Sequence, residues 1–401
     1  MAAAISATGL PESVRHGLWL PVHLGLAGGA GTAIAGVLPF FVAALSAAPP
    51  AGGRLRGSAI ILIAGGALLA GLGIVVGLPQ VALTGSLSYL AGLGAVAVCA
   101  FWPLRSARGS RRRLVSLAYG AAIAQVALGV SIAGTMLAGY TPVVERWGFL
   151  KLAHAWLNVF GFLSVVVAAT MVHLAPTVAG SRIVPRRSAR VALTGLIAGP
   201  PLVALGLAIG VDAAARLGAL AEGVGVIGLV VHAAVVQRDR GRWTTDPDWH
   251  RVTSWSLLAA PAWFFVSVLL AAGRIIWLGA VPTAWTLDGL VAPLAVGWVC
   301  QALIGAWSQL LPAIGPGDRA AHARQRRVLG RIATGRLVAL NLGVTLVVLG
   351  EAAVWTPPSV IGGGLIAGSI VASLAIFFDA MRIGGAAILP ISPGGQARAA
   401  D

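Results

Sequence analysis

The stretch from Gly148 to Arg182 reads GFLKLAHAWLNVFGFLSVVVAATMVHLAPTVAGSR. It is apolar for long enough to cross a bilayer, since a membrane-spanning helix needs about 20 mostly apolar residues. It also carries His154, Asn158 and His173. Polar side chains cost free energy in hydrocarbon unless they find partners, so a histidine inside a span indicates a functional site. The stretch therefore predicts a membrane protein and supplies its first candidate ligand.

The composition supports the same class. Only 10% of the 401 residues are charged and 58% are hydrophobic, whereas a soluble domain is about 25% charged. We therefore predict an all-α, polytopic helix bundle in the plasma membrane (the inner membrane of a bacterium), in contact with the lipid bilayer. The expected organisation is a short outer segment over residues 1–17, one transmembrane bundle over 18–382, and a disordered cytoplasmic tail over 383–401.

Reading for apolar runs of this length predicts about eleven spans, with 10–12 as the range. They lie at 18–46, 58–78, 86–104, 114–138, 149–176, 190–210, 217–236, 252–278, 288–312, 334–350 and 360–381. The first run is long, and we expect an interfacial turn near Pro39. Most of the 28 Lys and Arg residues fall in every second loop. This alternation predicts an outer N-terminus and an inner C-terminus, and it assigns the net charge of +16 to topology. No nucleic-acid partner is predicted.

Glycines and ionisable groups inside the runs give further expectations. Three glycine pairs predict close approach between helices, namely Gly25 with Gly29, Gly73 with Gly77, and Gly225 with Gly228. Trp19 is expected in the aromatic belt at the outer interface, with no functional role. Glu222 is placed at the outer end of its run and no acid at mid-depth, which disfavours a carboxylate relay.

The predicted topology places His23 and His154 at similar depths in the outer half of the membrane, on different helices. Neutral imidazoles that project inward from separate helices are what a bis-histidine haem or a copper ion needs. Simple hydrogen bonds between neighbouring helices are the alternative. His173 is nineteen residues beyond His154, about 28 Å along a helix, so these two cannot share one metal. His173 is a weaker metal candidate. So is His16, which is predicted at the outer membrane surface.

Three amides accompany these histidines. Asn158 is four residues after His154 and shares its helical face, and Gln125 and Gln301 lie near mid-membrane. They are expected either to support a histidine ligand or to form ordinary helix–helix hydrogen bonds. No ATP-binding, serine-hydrolase, zincin or covalent haem motif is present, so no catalytic residue is predicted.

The same segments resemble a known family. Span five resembles the haem-ligand helix of haem-copper oxidase subunit I, with His154 in the ligand position. More closely, the chain resembles the haem-copper-oxidase-like membrane region that in actinobacteria often precedes copper nitrite reductase or multicopper oxidase domains. It is more distantly similar to the NnrS family of haem- and copper-containing proteins associated with nitric oxide stress. The matching residues are His23, His154, Leu157, Asn158, Gly161, Phe162, Pro176, Thr177, Arg182, Gln301, Gly305, Ser308, Pro312 and Asn341.

The resemblance implies one haem b or copper held by His23 and His154, with Asn158 and Gln301 in support. The implied role is redox chemistry or stress response linked to nitrogen oxides or copper, with a separate copper or redox protein as partner.

The sequence departs from the family at Trp156, where the family usually has the second histidine of span five. It also departs at Phe40 and Phe41, in the region where the family's first span usually has a later histidine. No adjacent histidine pair is present for an oxidase copper. The resemblance therefore implies a redox component and not a complete oxygen-reducing oxidase. A cofactor-free permease, and a structural subunit that docks another membrane enzyme, are the alternatives, and whether the chain is an enzyme stays open.

Overall fold

A computed structural model of the chain describes residues 19–106, 113–184, 186–241, 249–282, 289–315 and 317–386, with helices and no strand among them. Eleven helices in these ranges are long and apolar enough to cross a membrane. They are α1 (Trp19–Leu45), α2 (Gly53–Val75), α3 (Pro79–Arg105), α4 (Arg113–Leu137), α5 (Trp147–Val178), α6 (Arg187–Ile209), α7 (Asp212–Arg238), α8 (His250–Leu278), α9 (Val291–Ala313), α10 (Ala333–Ala352) and α11 (Thr356–Gly385). The prediction of an all-α polytopic bundle is confirmed.

The chain forms two compact units. Unit 1 comprises Met1–His173, Val184–His232 and Phe265–Val291. Unit 2 comprises Leu174–Ile183, Ala233–Phe264 and Ala292–Asp401. The candidate histidines His23 and His154 belong to unit 1, and Gln301 belongs to unit 2.

Unit 1 contains two helix pairs that approach through glycines. A Cβ atom on Gly66 of α2 would lie 2.6 Å from the backbone nitrogen of Tyr89 in α3. Gly73 faces the backbone of Ala82 in the same pair. Between α6 and α7, a Cβ atom on Gly225 would lie 2.7 Å from the Leu196 nitrogen. Such contacts leave no room for any side chain, so the predicted close approach is confirmed at Gly73 and Gly225.

The glycine prediction is wrong at three other positions. A Cβ atom on Gly25 would meet no atom within 4 Å, and one on Gly29 would meet only the Leu24 carbonyl of its own helix. Gly77 lies beyond the end of α2 with a φ of 68°, which is a turn conformation that glycine adopts without strain. The spacing of glycines therefore did not show which helical faces meet.

Three spanning helices contain a wide π-helical segment. These segments are Leu24–Ala30 in α1, Trp156–Ser164 in α5 and Val291–Cys300 in α9. π-Helices are rare and occur mainly at functional sites. Here they lie directly after His23, two residues after His154, and directly before Gln301.

The first of these segments also corrects the path expected for α1. Gly31–Leu45 is one uninterrupted α-helix with Pro39 inside it. The expected turn at Pro39 is therefore wrong, and the irregular part of α1 is its wide segment Leu24–Ala30.

A buried arginine in unit 2 connects three of its helices. Arg336, in the first turn of α10, donates to the carbonyl of Leu329 and to Ser373 Oγ at 3.3 Å. Ser369 Oγ donates in return to the Arg336 carbonyl at 2.9 Å. Leu329 ends a short loop helix, Arg319–Leu329. The arginine therefore ties this loop helix and α11 to the start of α10.

Candidate metal site

His23 and His154 lie side by side in unit 1. Their ring centroids are 6.5 Å apart, and the ring planes differ by only 7°. Both side chains are half-buried. The wide segments Leu24–Ala30 and Trp156–Ser164, which follow the two histidines, are in contact with each other. The fold therefore brings together two histidines that are 131 positions apart in the chain.

The ring of His154 is oriented by α4. Its Nδ1 atom is 2.8 Å from the carbonyl oxygen of Gly129. A carbonyl can only accept, so Nδ1 carries the proton and donates it. The lone pair of the neutral ring then lies on Nε2, which is the state in which histidine binds metal ions.

The ring of His23 has the same kind of partner. Its Nδ1 atom donates to the carbonyl of Trp19 at 2.9 Å, one turn earlier in α1. The indole of Trp19 stacks on the imidazole with centroids 4.1 Å apart. The sequence placed Trp19 in the interfacial belt and gave it no role. The spacing of four residues between Trp19 and His23 was the signal for this contact.

Asn158 lies against the His154 ring. Its Nδ2 atom donates to the backbone carbonyl of His154 at 2.7 Å and is 3.0 Å from the ring Nδ1. Because that Nδ1 already donates to Gly129, the shorter bond to the carbonyl is the hydrogen bond. The Oδ1 atom of Asn158 is buried without a hydrogen-bond partner.

Gly129, which sequence reasoning missed, makes this packing feasible. A Cβ atom there would lie 2.7 Å from Nδ2 and 2.8 Å from Oδ1 of Asn158.

Gln125 makes a helix–helix hydrogen bond. Its Nε2 atom donates to the carbonyl of Ile197 in α6 at 3.3 Å. Pro201, four residues after Ile197, has no N–H to bond that carbonyl. Gln125 also packs closely on Gly161, inside the wide segment of α5. It therefore supports the helix of His154 and does not contact the ring through any hydrogen bond given by the structure.

Trp156 contacts a buried acid. Its indole Nε1 donates to Glu222 Oε2 at 2.8 Å, and both side chains are fully buried. Helix α7 begins at Asp212, so Glu222 lies about 15 Å along it. The apolar run within this helix begins at Leu217, five residues after the helix does. The depth of Glu222 in the membrane therefore stays a prediction.

The other predicted residues belong to unit 2, to the C-terminal part of α5, or to residues outside the described ranges. Gln301 of unit 2 is fully buried, and neither its Nε2 nor its Oε1 has a hydrogen-bond partner. His173 is in the C-terminal part of α5. His16 is not among the described residues. Within the described ranges, no group of three or more His, Cys, Asp or Glu side chains is placed to hold a metal ion.

No protein-family model matches the chain, and no curated protein matches it either. The resemblance to haem-copper oxidase subunit I and to the NnrS family therefore stays a prediction. The helices define the chain as a multi-pass integral membrane protein in contact with lipid.

Proposed function

We propose that this chain is a redox protein of the cell membrane that holds one haem b, or alternatively copper, through His23 and His154. The observation that carries the proposal is the pair of near-parallel imidazoles, 6.5 Å apart. Each ring commits its Nδ1 proton to a backbone carbonyl. Such a hydrogen bond is typical of metal-ligating histidines, because it fixes the tautomer and the ring orientation.

The spacing and the number of ligands favour haem. A metal lies about 2 Å from an imidazole nitrogen, so two rings that share one metal have centroids on the order of 6 Å apart. A haem would bring most of its iron's ligands with it and would need only His23 and His154 from the protein. A copper ion usually takes further side-chain ligands, and within the described residues no third His, Cys, Asp or Glu is grouped with the histidine pair.

A bound haem or copper would supply one-electron exchange. The chain's own residues would hold and orient the ligands. Gly129 and Trp19 direct the two Nδ1 protons away from the metal side, and Asn158 packs against the ring of His154. Electrons would come from, or go to, a separate copper or redox protein. The link to nitrogen oxides or copper rests on the sequence resemblance alone.

A cofactor-free permease is the second candidate, and one observation favours it. Glu222 is a fully buried carboxyl group in the middle of a spanning helix. Ionisable side chains buried within spanning helices are rare, and they often belong to proton or ion pathways. The two candidates differ in what the purified protein contains, because only the redox protein carries a coloured or paramagnetic centre.

The deciding experiment is purification of the full chain from a host replete in haem and copper, followed by absorption and electron paramagnetic resonance spectra and metal analysis. We expect one metal centre per chain, lost in His154→Ala and in His23→Ala, because each substitution removes one ligand. His173→Ala is the matched control, since it removes a histidine from the same helix nineteen residues away. We expect it to keep the centre.

A colourless, metal-free wild-type protein would contradict the redox proposal. So would a centre that survives both ligand substitutions, or one that His173→Ala removes as completely as His154→Ala does.

A further inference from the structure

The position that the family resemblance assigns to a second histidine is occupied by Trp156, and this tryptophan has a partner of its own. Its Nε1 atom donates to Glu222 Oε2 at 2.8 Å. Neither side chain is exposed. A hydrogen bond buried in apolar surroundings is costly to leave unmade, because neither group can turn to water instead.

The bond lies at a sensitive place in α5. Trp156 is the first residue of the wide segment Trp156–Ser164 and is two residues after His154. Its ring also stacks on Phe160, with centroids 4.8 Å apart. The indole is thus held by its nitrogen and by its face, at the point where the helix changes from the α to the π hydrogen-bond register.

The acid is itself held firmly. A Cβ atom on Gly199 of α6 would lie 2.7 Å from the Cβ of Glu222 and 2.8 Å from its backbone nitrogen. This contact fixes the level of Glu222 against α6. Since Trp156 is the first residue of the wide segment, the carboxyl group connects the start of that segment to α7.

We propose that Glu222 is a positioning residue for the metal site, acting through Trp156 on the direction of the His154 imidazole. The inference rests on the proposed function, since it assigns Glu222 to the same site. Without the bond, the change from α to π hydrogen bonding at Trp156 would no longer be held in place. His154 would then no longer hold Nε2 in one direction, although its bond to Gly129 would still be available.

The test uses three variants of the full chain. Trp156→Phe removes the donor and keeps an aromatic ring, and Glu222→Leu removes the acceptor at similar volume. Glu222→Gln keeps an acceptor oxygen. We expect the first two to weaken metal affinity by about 10–100-fold, the range found when partners of metal-ligating residues are removed. We expect Glu222→Gln to restore affinity and the electron paramagnetic resonance spectrum to near wild type.

Trp298→Phe is the matched control. Trp298 is also fully buried within a π-helical segment, Val291–Cys300, and stacks on an aromatic ring, that of Phe264. It should keep the wild-type spectrum. An equal change in Trp298→Phe would overturn the inference, as would unchanged spectra in both Trp156→Phe and Glu222→Leu. Loss of the centre in Glu222→Gln would also overturn it, because the amide still offers an oxygen to the Trp156 indole.

A second measurement separates this inference from the proposed function. In metal-free protein, nitrogen-15 resonances of the histidine rings report which ring nitrogen carries the proton. We expect Trp156→Phe and Glu222→Leu to shift or broaden the His154 signals, and Glu222→Gln to retain them. A wild-type protein without metal would contradict the proposed function. The His154 nitrogen-15 signals would still test whether Glu222 is a positioning residue. Unchanged His154 signals in all three variants would count against it.

Discussion

At the scale of single residues, His154 takes its orientation from a position without a side chain. Gly129 provides the carbonyl that accepts the Nδ1 proton. Its missing Cβ leaves the space that Asn158 occupies. One residue of α4 thus serves both the ring and the amide that packs against it. A larger residue would retain the carbonyl and lose the space.

We therefore expect Gly129→Ala to weaken the candidate site and to destabilise the fold. The added methyl group would lie within 2.9 Å of three Asn158 atoms, and overpacking of this kind costs about 1–3 kcal/mol. The measurements are metal content and thermal unfolding in detergent. Gly120→Ala on the same helix is the control, because its Cβ would meet nothing closer than Phe101 at 3.7 Å. Equal behaviour of the two variants would refute the prediction.

The sequence contained part of this site. Loop charges predicted a topology that placed His23 and His154 at similar depths on separate helices. It could not give the role of Gly129, because a carbonyl acceptor leaves no trace in residue type. It did not show that Glu222 is fully buried, because burial depends on the neighbouring helices and not on the position within an apolar run. The Trp156–Glu222 bond joins residues 66 positions apart, and no local pattern relates them.

At the scale of helices, α2 and α3 form one of the two close pairs in unit 1 that approach through glycines. A Cβ atom on Gly66 would lie 2.6 Å from the Tyr89 nitrogen, 2.7 Å from the Gly85 carbonyl oxygen and 3.0 Å from the Tyr89 Cα. All three are backbone atoms, which cannot move aside as the end of a side chain can. Without a hydrophobic effect inside the bilayer, such close packing is the main source of attraction between helices.

The pair offers two adjacent glycines with opposite surroundings. We expect Gly66→Ala to destabilise the protein by about 1–3 kcal/mol, because the helices must separate to admit the methyl group. Gly65→Ala should be neutral or slightly stabilising, since nothing lies within 4 Å of its Cβ position and alanine favours helix. Thermal unfolding of both variants in the same detergent measures the difference. A Gly65→Ala variant as unstable as Gly66→Ala would contradict this account.

The helices also show the limit of reading a sequence by composition. Apolar length located all eleven spans, with each end within seven residues of the observed helix end. It could not locate the three π-helical segments of the described ranges, because the change from α to π is a change of hydrogen-bond partner within an apolar run. Proline is visible in a sequence, and it suggested a turn at Pro39, but the helix continues through that residue.

At the scale of the whole molecule, the orientation in the membrane stays a prediction that rests on the loop arginines. It can be measured at two described loop residues. Val354, after α10, is 92% exposed, and Ile183, after α5, is 41% exposed. We expect a cysteine in Val354→Cys to react with an impermeant thiol reagent added outside intact cells. One in Ile183→Cys should react only after the membrane is opened.

The two native cysteines provide the background for this measurement. Cys99 is buried and Cys300 is partly buried, both within spans. The wild-type chain should therefore label weakly from either side. Reaction of both introduced cysteines from the same side would contradict the alternation of loops, and reversed labelling would invert the topology.

The wide segment after His154 has one more consequence, for how this chain tolerates insertion and deletion. A π turn is equivalent to an α-helix that has absorbed one additional residue. Removing one residue from Trp156–Ser164 would therefore allow α5 to continue as an ordinary α-helix with its length and apolar character nearly unchanged. The part of the helix that holds His154 would keep its facing relative to the rest, because the wide turn had taken up the additional residue. In the descent of such proteins, one codon could be lost there while the two histidines stayed together and the membrane bundle persisted.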